Sequence, residues 1–259
     1  MRGYRWGTVI ILLMAWCAAC APRQIRPVAE IDPGPFLETV QARRTALEQG
    51  LSGSLDLAFK NQKHRFNSKA YVVVYPDGRF RMEVAAPLGG TVLVLTNDNS
   101  EILAYYPDDN RAFRSDVDGR SLSPHLPFPL AVEPATLPAL IMGVPPESDR
   151  VSGARAYLLD SGERVLRTDP GNSGLQFTYL FDKASDVRLR KVEIRSPDAE
   201  VTVNIGTEPD HRLRDFRLQL PDGILKGEWD TAALFNGVAA DLGLRLPPSV
   251  PITDLEASP

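Results

Sequence analysis

The chain has 259 residues, of which 43% are hydrophobic and 24% are charged. These proportions are typical of a globular domain with a substantial apolar core. The formal net charge is -4 and the isoelectric point is near 5.5. Because nucleic-acid-binding domains carry a basic balance, this composition argues against DNA and RNA as partners.

The first twenty residues have the pattern of an export signal. Two arginines near the start are followed by the apolar segment 8–16, which is too short to span a bilayer. Residues 17–20, CAAC, resemble a bacterial lipobox, in which small residues precede a cysteine. The pattern predicts a signal peptide over residues 1–19 and lipidation of the Cys20 thiol. The alternative is a plain secretory peptide cleaved near Ala19 or Ala21.

The cysteine count favours lipidation. The sequence has two cysteines, and Cys17 lies within the predicted signal peptide. The mature chain would keep Cys20 alone, so no disulfide can form within it. Several acyl chains on one cysteine give a stable membrane anchor. Residues 20–34 contain several prolines, which predicts a lipidated terminus followed by a linker.

A helix and then a series of strands are predicted after the linker. Pro35–Gly50 is typical of a core-packing helix, because proline suits the first turn and glycine the C-terminal stop. From Leu51 onward, apolar and polar residues alternate, which predicts strands. The strands predicted in the first half are Leu51–Phe59, Lys69–Tyr75, Arg79–Val84, Thr91–Leu95, Glu101–Tyr106 and Arg111–Ser115.

A short loop joins the third and fourth of these strands. It contains Pro87, Leu88 and Gly89, followed by a second glycine. Proline fixes φ and glycine allows a positive φ, so the loop can turn sharply and hold Leu88 outward. The residues alone leave a second interpretation open, in which Leu88 is an anchor buried in the core.

The middle of the chain predicts a short apolar helix, followed by a second series of strands. Leu137–Met142 is apolar and is closed by Gly143 and Pro145, which indicates a short core helix. The second series comprises Ala156–Asp160, Arg164–Arg167, Leu175–Phe181, Arg188–Ile194, Val201–Ile205, Arg212–Leu220 and Ile224–Trp229.

The sequence therefore predicts a mainly β (α+β) protein with about ten or eleven strands, spaced as in a barrel-like or sandwich sheet. We expect one domain over residues 35–230. Asp230 can cap a last helix that runs through Leu234, Phe235, Val238 and Leu242. Residues 231–259 are accordingly predicted to form a C-terminal helix and a tail.

The loop and its flanking strands resemble the LolB family, outer-membrane lipoproteins that receive other lipoproteins from a periplasmic carrier and insert them in the membrane. The resemblance lies in Pro87-Leu88-Gly89, preceded by the Arg79–Val84 strand and followed by Thr91–Leu95. It implies a curved antiparallel sheet, or open half-barrel, with short helices packed into the concave face. It also implies that Leu88 protrudes and is needed for insertion.

The resemblance further implies partners and a location. The partners would be acylated lipoproteins delivered by a periplasmic carrier, and the protein would be a monomer. Ala21, which follows Cys20, resembles an outer-membrane sorting signal of enteric bacteria. The expected location is the outer membrane of a Gram-negative bacterium, with the protein lipid-anchored and facing the periplasm.

The sequence shows no signature of catalysis, a cofactor or a metal. The histidines, His64, His125 and His211, lack ligand spacing. No G-x-S-x-G, HExxH, P-loop or mature Cys-x-x-Cys is present. The Asp108-Asp109 pair lies in a turn-like segment, as expected for solvated loop charge. We therefore expect a binding protein that is not an enzyme and has no cofactor.

A curved sheet capped by a helix leaves an apolar concavity that can take acyl chains. The predicted lining is Phe80, Met82, Val84, Val92, Val94, Leu137, Ile141, Phe177 and Tyr179. Two other classes of protein stay open. One is a periplasmic carrier of free lipid or glycolipid with the same fold, and the other is a structural lipoprotein that scaffolds an envelope complex.

Overall fold

A computed structural model describes residues 27–63, 65–86, 89–116, 120–127, 137–144, 153–170, 174–183, 187–206, 213–221, 223–235 and 242–255. Within them, fifteen strands form one curved sheet. The first strands are β1 Pro27–Ile31, β2 Leu51–Asn61, β3 Arg65–Val74, β4 Phe80–Ala85, β5 Thr91–Asn97, β6 Ile102–Tyr106 and β7 Arg111–Ser115. The others are β8 Arg155–Leu159, β9 Arg164–Arg167, β10 Gln176–Phe181, β11 Leu189–Arg195, β12 Glu200–Ile205, β13 Leu213–Leu220, β14 Gly223–Leu234 and β15 Ile252–Asp254.

The described residues also contain helices α1 Gly34–Ala46 and α2 Leu137–Met142, and a 3-10 helix over Arg120–His125.

The strand order is β1-β8-β9-β10-β11-β12-β13-β14-β2-β3-β4-β5-β6-β7-β15. Neighbours pair antiparallel, except that β15 pairs parallel with β7. Because β1 and β15 are the two edges, the sheet is not closed into a barrel. The predicted fold class, a mainly β open half-barrel, is confirmed.

Alternation of buried and exposed residues gives the sheet one core face and one outer face. In β4, Phe80, Met82 and Val84 are buried and the residues between them are partly exposed. The core face continues across the sheet and forms the main apolar cluster. The alternation of apolar and polar residues in the sequence therefore correctly predicts which side chains of these strands face the core.

Both helices pack on the core face. The rings of Phe36 in α1 and Phe181 in β10 meet edge to face, with centroids 4.9 Å apart. All of α2 is buried, and the helix ends at Gly143, whose φ is +66°. A Cβ added at Gly143 would lie 3.0 Å from Val192 Cγ2, so this glycine lets the end of α2 approach β11 closely.

The predicted count of about ten or eleven strands was too low. The strand ranges predicted from the sequence number thirteen, and the two further strands lie at the edges of the sheet, in segments that were expected to be unstructured. β1 lies in the predicted linker and pairs with β8. β15 lies in the predicted tail and pairs with β7. β15 is exposed along its length, β1 is exposed except at partly buried Ile31, and prolines lie in or next to both strands. They therefore lack the alternation that marks a half-buried strand.

The predicted C-terminal helix also differs from the structure. β14 continues to Leu234 and pairs with β2 as far as Leu51. Asp230 is consequently a strand residue and not a helix cap. Its carboxylate accepts a hydrogen bond from Lys69 Nζ at 2.5 Å. Val238 lies outside the described residues.

After residue 241, the chain crosses the outer face of the sheet. Leu242 joins Val73 and Tyr75 in one small apolar cluster. Val250 joins Leu103 and Ala112 in another, just before β15. The segment 242–255 therefore packs on the sheet and covers its β7 edge.

Candidate functional site

An apolar cavity of about 650 Å³ lies between α1 and the strand ends beneath it. This volume is within the range of ligand pockets in proteins. Most of the lining is aliphatic. The lining residues are Thr39, Ala42, Arg43, Ala46, Leu47, Leu51, Leu189, Leu213, Ala232, Ala233 and Leu234.

The cavity forms where two strand ladders separate. β14 pairs with β13 as far as Glu228, but it pairs with β2 as far as Leu234. The last residues of β14 therefore extend beyond its ladder with β13. The cavity lies under the face of α1 that carries Thr39, Arg43 and Ala46, which are spaced about one helical turn apart.

Arg43 connects the cavity to α2. Its side chain is half-buried overall, with the guanidinium end inside the protein. The Nη2 group donates a hydrogen bond to the carbonyl oxygen of Met142 at 3.0 Å. Burial lowers the pKa of Arg43 to about 10, so the group remains cationic at neutral pH. The cation thus lies at the C-terminal end of α2, where backbone carbonyls favour positive charge.

Tyr179, on β10, is near enough to Arg43 of α1 for the two side chains to interact electrostatically. Its side chain is fully buried, and its hydroxyl has no hydrogen-bond partner among the described residues. Burial raises the pKa of this hydroxyl, and the nearby charge of Arg43 acts in the opposite direction. The hydroxyl therefore keeps its proton at neutral pH and can donate a hydrogen bond.

The structure places the predicted lining residues elsewhere than in this cavity. Most are buried in the main cluster: Phe80, Met82, Val84, Leu137, Ile141, Phe177 and Tyr179. Val92 is partly buried against the same cluster. Val94 pairs with Glu83 and Tyr105 on the outer face, whereas its neighbours Leu93 and Leu95 face the core. A role for these residues in contacting acyl chains remains a prediction.

Arg43 is the residue that the sequence did not identify. Two adjacent arginines in a helix with a short apolar stripe indicated a solvent-facing side. A signal was nevertheless present, because Thr39, Ala42 and Ala46 are small and share one helix face with Arg43. Small residues on one helix face permit close packing or leave space beneath it.

Two predicted functional residues of the loop, Pro87 and Leu88, lie outside the described residues, as does Cys20. The loop's flanks are described. The amide of Ala86 donates to the carbonyl of Gly90, and the amide of Gly89 donates to the carbonyl of Ala86. Gly89 has a φ of +95°, and a Cβ added there would meet no atom within 4 Å. The flank therefore projects away from the sheet.

The loop and the cavity are at opposite ends of β4. Leu51, which lines the cavity, pairs with Val74, and Val74 pairs with Phe80 at the start of β4. The loop follows Ala85 at the other end of that strand. With a rise of about 3.4 Å per residue, the five steps from Phe80 to Ala85 separate the two regions by about 17 Å along the strand.

A larger groove, of about 1090 Å³, lies on the outer face of β12, β13, β14, β2 and β3. Its lining is rich in charged residues, several of which pair with each other. Lys69 Nζ lies 3.3 Å from Asp56 Oδ1, and Arg214 Nε lies 2.8 Å from Asp215 Oδ2. This polar lining does not suit acyl chains, so we take the smaller apolar cavity as the candidate site.

No group of three or more histidine, cysteine, aspartate or glutamate side chains in the described ranges has a geometry that could hold a metal ion. Within the same ranges, no helix is both long enough and apolar enough to cross a bilayer.

No family model matches the sequence, and no curated protein matches it. Solved structures do show similarity. A LolA superfamily protein from Nitrosomonas europaea has a TM-score of 0.48 at 8% identity, over 80% of this chain and 97% of that one. A domain assigned to outer membrane lipoprotein-sorting proteins, from Vibrio parahaemolyticus, has a TM-score of 0.48 at 15% identity, over 78% and 93%.

The lipoprotein LppX from Mycobacterium tuberculosis has a TM-score of 0.29 at 12% identity, over 78% of this chain and 99% of that one. These values are too low to carry an argument about function. The functional interpretation therefore depends on the sequence and on the geometry of the cavity.

Proposed function

We propose that this protein binds acyl chains in the cavity beneath α1 and does so without catalysis. The observation that carries the proposal is an aliphatic cavity of about 650 Å³ at the end of an open half-barrel. Leucine and alanine dominate its lining, which suits a hydrocarbon chain with few polar contacts. We further propose that the bound chains belong to acylated lipoproteins delivered by a periplasmic carrier.

The energetics of acyl chains favour direct transfer. Burying one methylene contributes about 0.8 kcal/mol, so a long chain leaves an apolar cavity for water very slowly. A receptor must therefore take the chain from its carrier without releasing it into water. Release would follow when the membrane binds the chains better than the cavity does, because a transfer equilibrium follows the difference in affinity.

Two sequence features support a membrane role for the proposed receptor, one as its anchor and one in insertion. Lipidation of Cys20 would anchor it to the outer membrane, facing the periplasm. Leu88 would contact the bilayer during insertion, as the resemblance to the LolB family implies. The projecting flank of its loop, with Gly89 in open space, supports this role.

A transfer assay tests the proposal. Residues 21–259, which include every described strand and helix, are mixed with a periplasmic carrier loaded with an acylated lipoprotein. We expect the lipoprotein to move to this protein. If it does not move and phospholipid is found bound instead, the protein is a lipid carrier. If neither binds, the scaffold function becomes the better account.

A pair of neighbouring variants on α1 tests whether the cavity itself is the site. Ala46→Trp places an indole at a lining position, whereas Thr45→Trp places the same group on an exposed residue outside the lining. We expect Ala46→Trp to reduce transfer at least about tenfold and Thr45→Trp to leave it near the wild-type level. Equal transfer by both variants would exclude this cavity.

A further inference from the structure

The hairpin between β2 and β3 carries a cluster of basic side chains. Lys60 and Arg65 are directly opposite each other in the ladder, and Lys63 lies in the turn between them. All three are exposed, and none forms an ion pair within the part of the chain that the structure describes. Like charges directly opposite each other in a ladder are unfavourable. The cluster therefore does not serve the stability of the sheet.

Two further basic residues extend the cluster across the outer face of the sheet. Lys226 of β14 pairs with Arg217 of β13 on one side and with Ala58, two residues before Lys60, on the other. Both basic side chains are exposed, whereas their neighbours along each strand face the core. The ends of four adjacent strands thus carry one basic patch, which consists of Lys60, Lys63, Arg65, Arg217 and Lys226.

The acidic side chains of these four strands lie farther from the hairpin tip. The nearest, Asp56, Asp215 and Glu228, share one row of the ladder. That row is four residues from Lys60, or about 14 Å at about 3.4 Å per residue. This distance exceeds the Debye length, which is about 8 Å at physiological ionic strength. A surface that meets the hairpin tip therefore interacts mainly with positive charge.

The basic patch lies at the same end of the sheet as the loop that contains Leu88. The Ser68 hydroxyl of β3 donates a hydrogen bond to the carbonyl of Ala85, the last residue of β4 before that loop. β3 extends three residues beyond this level, to Arg65, which is about 10 Å at about 3.4 Å per residue. The hairpin therefore projects past the base of the loop, so a flat surface that meets the loop also meets the hairpin.

We infer that the basic patch binds the anionic head groups of a phospholipid bilayer and so orients the protein with the Leu88 loop toward the membrane. A bilayer suits this end of the sheet because it offers phosphates to the patch and an apolar layer to the leucine beside it. The chain as a whole has a net charge of -4, so the attraction is confined to this end. The inference extends the proposed function and rests on it for the role of the loop.

Co-sedimentation with vesicles tests the inference on residues 21–259, which lack Cys20 and cannot be held by an acyl anchor. One preparation is phosphatidylcholine alone, and the other contains about 30% phosphatidylglycerol. Each basic residue near an anionic surface strengthens binding about fivefold, so three at the tip predict about hundredfold tighter binding to the anionic vesicles. Most of this difference should be lost at about 1 M salt, where the Debye length is about 3 Å.

A triple variant assigns the binding to the hairpin. Lys60→Gln, Lys63→Gln and Arg65→Gln together remove three charges, and the fold should be retained because a repulsion in the ladder is relieved. We expect the triple variant to bind the two kinds of vesicle within about tenfold of each other, since Arg217 and Lys226 remain.

A matched pair of single variants controls for charge alone. Lys63→Glu and Lys183→Glu make the same change at exposed lysines in connections at opposite ends of the sheet. We expect Lys63→Glu to weaken binding to the anionic vesicles at least about tenfold and Lys183→Glu to weaken it less than about threefold.

Equal binding to both kinds of vesicle, unchanged binding by the triple variant, or equal effects of the two single variants would overturn the inference. If the triple variant bound vesicles normally but lost lipoprotein uptake, the patch would be a docking surface for the carrier and the inference would be wrong. The two proposals fail separately. Charge-selective vesicle binding without lipoprotein transfer would refute the receptor and leave the membrane surface, and transfer with equal binding to both vesicles would do the reverse.

Discussion

Gly53 is a position at which a single methyl group determines whether two strands can approach each other. It lies near the start of β2, beside a bulge in β14 between Trp229 and Thr231. A Cβ at Gly53 would lie 1.9 Å from the carbonyl oxygen of Thr231. Because the clashing atom belongs to the backbone, the ladder must shift to accommodate any side chain.

We therefore expect Gly53→Ala to lower the free energy of unfolding by about 3 kcal/mol, at the upper end of the cost of overpacking. The comparison is Gly34→Ala at the start of α1, where the nearest atom to an added Cβ is the flexible carboxylate of Asp32 at 3.3 Å. Gly34→Ala should change the free energy of unfolding by no more than about 0.5 kcal/mol. Denaturant unfolding measures both values, and similar values for the two variants would contradict the proposed contact.

Tyr179 makes stability depend on pH in the alkaline range. Burial raises the pKa of its hydroxyl above the ordinary value of 10.0. Above pH 10, the unfolded chain releases this proton while the folded protein keeps it. Since the folded state then binds more protons, the contribution of Tyr179 to stability falls as pH rises, by up to about 1.4 kcal/mol per pH unit.

Tyr179→Phe removes this dependence. We expect the difference in free energy of unfolding, variant minus wild type, to be constant below about pH 9.5 and to increase above pH 10. Near pH 7 the difference should be small, because the hydroxyl has no partner among the described residues whose loss would cost free energy. Unfolding curves from pH 7 to 11 test this, and a difference that stays constant throughout would contradict it.

At the scale of residues, the alternation of apolar and polar side chains was predictable from the sequence, but the burial of the Arg43 guanidinium was not. Phe177 and Tyr179 were correctly placed on one buried face of a strand, because period-2 patterning determines which residues share a face. Arg43 was not identified as a residue of the cavity, because arginine is rarely buried. Its position depends on α2, which is distant in sequence, and no local pattern encodes that contact.

At the scale of elements, the interior strands were predictable and the two edge strands were not. An interior strand with one buried face must alternate, but β1 and β15 are exposed and have no such constraint. The end of β14 was predicted to be helical, because Asp230 can cap a helix and apolar residues follow it at helical spacing. Pairing with β2 overrides that local preference, since helix propensity is a weak determinant beside a tertiary ladder.

The segment 242–255 covers the β7 edge of the sheet. Val250 is buried against Leu103 and Ala112, and the amide of Ala112 donates a hydrogen bond to the carbonyl of Pro251. Natural sheets protect their edges in this way, because an uncovered edge can pair with another chain. The segment is therefore part of the folded unit and is not a free tail.

We expect Val250→Asp to lower the free energy of unfolding by about 2–4 kcal/mol, because it places a carboxylate in an apolar cluster. The neighbouring Ser249→Asp, at an exposed position, should have an effect within about 0.5 kcal/mol. Light scattering should show more association for Val250→Asp, as an exposed β7 edge would produce. Equal stability of the two variants would show that the segment contributes little to the fold.

At the scale of the whole molecule, the arrangement of the sheet separates two regions that the proposed function uses. The cavity opens where β2 begins and β14 ends, and the loop that contains Leu88 follows the far end of β4. The resemblance identified the loop from its residues, but it could not give its distance from the cavity. That distance follows from the register of β2, β3 and β4, which only the folded sheet defines.

The separation predicts that uptake and insertion can be lost independently. Leu88→Glu places a charge on the loop and should abolish insertion into a membrane while leaving uptake from the carrier unchanged, because the cavity is about 17 Å away along β4. Leu234→Glu places a charge at an exposed leucine of the cavity lining and should lower uptake at least about tenfold. Uptake is measured by transfer from a loaded carrier, and insertion by the amount of lipoprotein that reaches vesicles.

If Leu88→Glu lost uptake as severely as Leu234→Glu, the loop and the cavity would not act as separate regions. If Leu88→Glu inserted normally, the loop would have no role at the membrane.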